Sequence, residues 1–101
     1  MDFLDKRKIK SALTISDVVQ RYSNKFELNK RTIVFLCPFH RDNNLGSCYA
    51  YLDAHSFTCQ SCHEEADVLK LASAYLNIPL RDMNTLLERI AEDFHFDRHL
   101  F

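Results

Sequence analysis

Two short segments of this sequence have the residue types and the spacing to do chemistry: Cys37-Pro38-Phe39-His40 and Cys59-Gln60-Ser61-Cys62. In each, two residues separate the paired side chains, so one tight turn can aim both at a single ion. Eighteen residues lie between His40 and Cys59, enough for a loop and a hairpin to bring the second turn back to the first. Three thiols and one imidazole form the closed, four-coordinate donor set of structural zinc, with no position left for water. One Zn2+ held by Cys37, His40, Cys59 and Cys62 is therefore the expected cofactor. Pro38 fixes its φ near about −65° in the first turn and has no N–H to compete for hydrogen bonds. In a small domain such an ion contributes on the order of 10 kcal/mol or more, so its removal is expected to unfold the chain.

The other candidate residues lead to less. Cys48 falls in an alternating, strand-like stretch and reads as a buried core thiol. Cys59-Gln60-Ser61-Cys62-His63 also matches the attachment motif for c-type haem. That chemistry requires export and would leave Cys37 and His40 without a purpose. His95 and His99, four residues apart, could share a helix face, and His55 has no evident role. No Ser/His/Asp arrangement, phosphate-cradling glycine loop or grouped Mg2+-binding carboxylates emerge. Glu64, Glu65 and Asp67 suit the N-terminus of a helix, where carboxylates favour the dipole. The chain is thus expected to lack catalytic residues and not to act as an enzyme alone.

The metal ligands need a frame, and hydrophobic periodicity outlines one. Asp2 is placed to cap a first helix over about residues 3–12, and Ser16 a second with Val18, Val19 and Tyr22 on its apolar side. Residues 26–28 and 32–36, joined by Asn29-Lys30-Arg31, read as a β-hairpin, with Asn29 able to tolerate positive φ. Residues 41–47 form a loop, 48–52 a third strand and 56–58 a fourth. From Glu65 the pattern turns helical through Leu69, Ala72 and Leu76 and ends before Pro79. Asp82 is placed to cap a last helix with Met83, Leu86, Leu87, Ile90, Ala91 and Phe94. The fold class is therefore α+β: a zinc ribbon with a small antiparallel sheet, flanked by N-terminal and C-terminal helices.

Composition agrees with a single domain over residues 1–101, comprising an N-terminal helix (1–13) and an apolar C-terminal tail (94–101). The chain has one glycine and two prolines, which leaves little for flexible linkers. No apolar run is long enough to span a membrane, and the charged N-terminus lacks a signal-peptide core. A cytoplasmic location is expected, where thiols stay reduced and four cysteines read as metal ligands before disulfides. Net charge is −1, but residues 1–50 carry nine basic and five acidic side chains, whereas 51–101 carry four and nine. A basic region suited to phosphates and an acidic one suited to another partner follow from that split.

At Cys37-Pro38-Phe39-His40 and Cys59-Gln60-Ser61-Cys62 the sequence resembles the CHC2-type zinc ribbon of DnaG-like bacterial primases. The resemblance extends upstream through Ile15-Ser16-Asp17-Val18-Val19-Gln20-Arg21-Tyr22 and downstream through Asp67-Val68-Leu69-Lys70-Leu71 to Ile90-Ala91, about residues 14–95. The four ligands transfer position by position, as do Ser47 and Asp67. The chain departs from the family at Asn44-Leu45, where a basic residue is usual, and at Gly46-Ser47-Cys48, where Pro-Ser-Phe is usual. It departs again at Cys62-His63-Glu64-Glu65-Ala66-Asp67, where the family is glycine-rich. His63 must then take the positive φ that a glycine would otherwise supply.

This resemblance implies a non-catalytic accessory module of primer synthesis, with the catalytic domain on a separate primase or DNA polymerase subunit and a phage or other mobile element as the expected source. Single-strand binding draws on basic side chains along the backbone and aromatic faces for bases. The expected surface is Lys30, Arg31 and Arg41 with Tyr49, Tyr51 and Phe57. The tail, through Phe94, Phe96, Leu100 and Phe101, either docks on the catalytic partner or folds back as core. The alternative is a protein-interaction adaptor that keeps the ribbon only as a scaffold and binds no nucleic acid. Salt-dependent affinity for a single strand separates the two, because phosphate contacts release counterions.

Overall fold

Capping side chains set the helix boundaries in the computed structural model, which describes residues 4–41 and 45–101. Helix α1 (Lys6–Ala12) starts at Asp5, whose carboxylate accepts from the backbone N–H groups of Arg7 and Lys8. The cap expected at Asp2 lies outside the described residues, as do Phe3 and Asn44. Helix α2 (Ile15–Tyr22) starts at Thr14 rather than Ser16. Thr14 Oγ1 accepts from Asp17 N at 3.1 Å, and Asp17 Oδ2 accepts from Thr14 N at 2.9 Å, a reciprocal capping box. Ser16 is buried inside the helix and accepts from Gln20 Nε2 at 2.8 Å. An Asp three residues on favours Thr14, since it satisfies a second orphan N–H that Ser16 could not reach.

Strands β1 (Phe26–Leu28), β2 (Thr32–Phe35) and β3 (Cys48–Tyr51) form one antiparallel sheet in that order. The β1–β2 hairpin is the one read from sequence, but Asn29 is not among the residues of positive φ. Its turn closes instead with Asn29 N donating to Thr32 O at 2.8 Å. In β2 and β3 alternate residues point inward: Ile33, Phe35, Cys48 and Ala50 are buried, while Tyr49 and Tyr51 face solvent.

Strand β4 (Ser56–Thr58) does not extend this sheet. It pairs with β5 (Glu65–Asp67) in a second, two-stranded antiparallel sheet. The chain turns between β3 and β4 at Ala54, which donates to Tyr51 O at 3.0 Å and accepts from Ile15 N at 2.9 Å. His55 Nδ1 adds a 2.7 Å contact to the Leu13 carbonyl, so the residue without an assigned role fastens this turn to the α1–α2 junction.

The stretch from Glu65, expected to be helical, is extended for three residues. Helix α3 (Val68–Leu76) begins only after Asp67, whose Oδ1 caps Lys70 N at 2.9 Å. An N-cap residue is itself extended, which lets β5 run directly into the helix. Of the three acidic residues expected at this terminus, Asp67 alone caps; Glu64 pairs with Lys70 at 2.6 Å and Glu65 lies in the strand.

A 3-10 turn (Leu80–Asp82) leads into α4 (Met83–Asp93). Asp82 occupies the N-cap position but makes no side-chain cap bond. The core joins Ile9 of α1, Ile15, Val18 and Val19 of α2, and Val68, Leu69 and Leu71 of α3 to Leu86, Leu87 and Ile90 of α4. Helix α4 ends at Asp93, so His95 and His99 share no helical face. After α4, His95 adopts φ 58° and Phe96 N donates to Ala91 O at 2.9 Å, closing a Schellman-type terminus. That reversal folds the tail back. Phe94, Phe96 and Phe101 are partly buried against the core, the Phe96 and Phe101 rings stack at 4.5 Å, and Asp5 N donates to the Phe101 carbonyl. Leu100 alone of the four tail residues stays mostly exposed, at 65%. Among the described residues no helix is long and apolar enough to cross a membrane.

Candidate metal centre

Cys37 lies two residues beyond the end of β2, in the first turn with His40, while Cys59 and Cys62 lie in the turn between β4 and β5. The two sheets therefore each contribute one turn, and the turns face one another. One donor atom from each of Cys37, His40, Cys59 and Cys62 lies within 4.8 Å of all the others. Cys37 Sγ and Cys62 Sγ are 3.8 Å apart, and Cys59 Sγ is 3.5 Å from His40 Nε2. A tetrahedron with Zn–S of about 2.3 Å and Zn–N of about 2.0–2.1 Å has S···S edges of about 3.8 Å and S···N edges of about 3.6 Å. The spacing fits one zinc ion.

Local chemistry prepares the donors. His40 Nδ1 lies 3.2 Å from the Arg41 carbonyl, which fixes the tautomer with Nε2 free to ligate. Backbone N–H groups of Ser61 and Cys62 point at Cys59 Sγ, and that of Phe39 at Cys37 Sγ. Burial alone would raise the Cys59 thiol, yet those N–H groups and the His40 ring outweigh it and lower it to about 6. Burial dominates at Cys37 and pushes its thiol up to about 12. His63 takes φ 60°, as the missing glycine requires, and donates its N–H to Cys59 O at 2.9 Å, closing the second turn.

The residues at the start of β3 complete the frame. Ser47 O accepts from Gln60 N at 2.9 Å, and Ser61 Oγ donates to Ser47 Oγ at 3.3 Å. The start of β3 is thus clipped to the second turn. Gly46, at φ 117°, supplies the one glycine where the backbone entering β3 needs that conformation. Cys48 is fully buried, as expected for a core thiol.

The expected nucleic-acid residues separate into two groups. Tyr49 and Tyr51 are 46% and 59% exposed on the outer face of the three-stranded sheet. Lys30 and Arg31 are exposed in the β1–β2 turn, and Arg31 O accepts from Leu52 N at 2.9 Å, which sets this turn beside the end of β3. Arg41 is exposed beside His40 and shares a shallow concavity with Lys25, a cation that a strict period-2 reading of residues 25–28 would have put on the same face as the tyrosines. Phe57 stands apart from this surface. It is buried, packed edge-on against Phe35 at 5.0 Å and stacked near Phe39 at 6.3 Å. The alternation of β4 turns it inward, under the metal centre.

No curated protein matches this chain. The family model described as the CHC2 zinc finger, the zinc ribbon of DnaG, matches residues 2–99. The chain is also similar to a crystal structure of Aquifex aeolicus primase that comprises zinc-binding and RNA polymerase domains, with a TM-score of 0.66 and 26% identity. The alignment covers 85% of this chain and 20% of the Aquifex chain, so the present sequence spans about a fifth of that protein. Ligand set, turn spacing and family match agree over nearly the whole sequence: the chain belongs to the CHC2 zinc fingers, the zinc-binding part of DnaG primase and not its catalytic core.

Proposed function

We propose that this chain acts in primer synthesis as the module that engages single-stranded template, beside a catalytic primase or polymerase domain carried by another chain. The observation that supports this most directly is the outer face of the three-stranded sheet. Tyr49 and Tyr51, two residues apart in β3, present their rings on one face, about 6.6 Å apart along the strand. Lys30 and Arg31 border that face at the hairpin end; Lys25 and Arg41 lie towards the metal end. Aromatic rings flanked by cations suit a strand whose bases stack while its phosphates meet positive charge. The zinc ion, bound at the other end of the same strands, holds the frame and takes no part in chemistry.

Fluorescence anisotropy with a labelled oligodeoxythymidine tests the surface. Reversing Lys30, Arg31 and Arg41 to Glu is expected to lower affinity at least tenfold and to flatten its salt dependence, with zinc content unchanged. Affinity equal to that of the parent would overturn the assignment. A parent affinity that does not vary with salt would favour a scaffold that binds protein only. For catalysis in trans, a primer-synthesis assay with and without a subunit recovered from the native host is the corresponding measurement.

A further inference from the structure

The concavity that Arg41 shares with Lys25 holds about 510 Å³, within the usual range of small-ligand sites. Three segments line it: residues 22–25 at the exit of α2, the first ligand turn, and Tyr75 in the last turn of α3. Its charge is one-sided. Lys25 and Arg41 face it with no ion-pair partner among the described residues, and no Asp or Glu lines it. Its rings are held in place. The Tyr22 hydroxyl donates to Asp93 Oδ2 at 2.7 Å, and the Tyr22 and Tyr75 ring centroids are 6.4 Å apart. Leu36 and Pro38 add apolar surface.

Tyr75 adds a second observation. Its hydroxyl is buried without a hydrogen-bond partner, and among the described residues no other buried side-chain polar atom is in that state. Ser23, on the same concavity, donates its own hydroxyl to the Lys25 carbonyl at 3.1 Å. A buried hydroxyl that bonds to nothing destabilises the free chain, and a ligand that meets it recovers the loss. We propose that this concavity takes one unstacked nucleotide of the template strand, with its phosphate between Lys25 and Arg41 and the edge of its base on the Tyr75 hydroxyl. The inference rests on the single-strand reading above and adds to it a contact that responds to the base. Tyr49 and Tyr51 offer ring faces, on which any base can stack; a hydroxyl between walls meets a base edge, and edges differ. A strand is favoured over a free nucleotide because Lys25 and Arg41 also border the metal end of the sheet surface.

Tyr75→Phe removes the hydroxyl alone. That group makes no bond in the free chain, so the variant is expected to melt no lower than the parent. Anisotropy on the zinc-loaded full chain compares a labelled oligodeoxythymidine with an abasic oligomer of equal length. In Tyr75→Phe the affinity for oligodeoxythymidine is expected to fall about two- to tenfold, the effect of one hydrogen bond, with the abasic oligomer bound as by the parent. Lys25→Gln is expected to weaken both and to lower the salt slope by about one. Equal binding of oligodeoxythymidine by parent and Tyr75→Phe would overturn the site and leave the sheet surface standing. So would an equal loss on the abasic oligomer, which would put the hydroxyl on the backbone, or a lowered melting point, which would give it a partner within the fold. A parent that binds neither oligomer would overturn the single-strand reading, and this site with it. Displacement of the strand by micromolar thymidine 5′-monophosphate would overturn the choice of a strand in favour of a free nucleotide.

Discussion

Nδ1 of His40 lies 3.2 Å from the backbone carbonyl of the next residue, Arg41, while its Nε2 lies 3.5 Å from Cys59 Sγ. A single residue thus orients the metal-binding ring and also carries one of the cations of the proposed template surface. Backbone geometry couples the two, since Arg41 cannot move far without turning the imidazole. Reversing the Arg41 side chain to Glu leaves that carbonyl in place, and zinc content should be unaffected.

Zinc removal should unfold the domain. The two sheets meet at the ligand turns, and structural zinc in small modules contributes on the order of 10 kcal/mol or more. Stripping the metal with a chelator under reducing conditions should abolish the cooperative thermal transition seen by circular dichroism, and Cys59→Ser should do the same. A metal-free chain that retains its transition would show that the core suffices.

Tyrosine and phenylalanine in neighbouring strands should answer differently to truncation. Tyr49→Ala and Tyr51→Ala are each expected to weaken single-strand binding by about 1–3 kcal/mol, a factor of roughly 5–150, with little change in stability. Phe57→Ala should cost about 3–5 kcal/mol of stability instead, because the ring is buried against Phe35 and Phe39. Anisotropy and denaturant titration on the same samples separate the two effects.

His63 and His95 hold positive φ values of 60° and 58°, a conformation that costs a residue with a Cβ about 1–2 kcal/mol. Replacing either with Gly should raise stability, by up to about 1 kcal/mol once glycine's greater freedom in the unfolded chain is subtracted. Replacing either with Val should lower it. Denaturation midpoints of the zinc-loaded variants give the answer.

Asp67 caps α3 and pairs with Lys10 at 3.0 Å. Burial opposes its charge, but the Lys70 N–H and Lys10 outweigh that and hold its carboxyl below the ordinary value. A carboxylate of lowered pKa stabilises the fold above the unfolded-state value, near about 4, and that contribution fades as pH falls through the folded-state value. Asp67→Asn keeps a capping oxygen but loses the charge that meets Lys10 and the helix N-terminus, so it should be less stable than the parent at pH 7 by about 0.3–1 kcal/mol. The gap should persist to about pH 5 and narrow below about pH 4. The comparison is read over the pH range in which both chains remain zinc-loaded and folded, and a gap independent of pH there would rule out the ionised cap.

The ligands and the hairpin were legible because each rests on a short-range rule: two-residue spacing for the turns, alternation for β2 and β3. Boundaries failed where two residues competed for one job. Thr14 prevailed over Ser16 through Asp17, and β5 is a three-residue strand with no periodicity of its own before Asp67. Phe57 misled for another reason. An aromatic beside exposed tyrosines in sequence need not share their face, and its strand belongs to the other sheet. The tail could not be decided from apolar content alone, because its return depends on a left-handed histidine that few sequences would place there.

Burial divides the four ligands by layer: Cys37 and Cys59 lie inside, His40 and Cys62 towards the rim. Competitors for the ion, whether chelators, protons or electrophiles, reach the rim first. Unloading then has a built-in sequence, in which the outer imidazole and thiolate let go while the inner sulfurs still grip. Recapture from that half-open state is fast compared with starting afresh, because the grip that remains is the one least accessible to rivals.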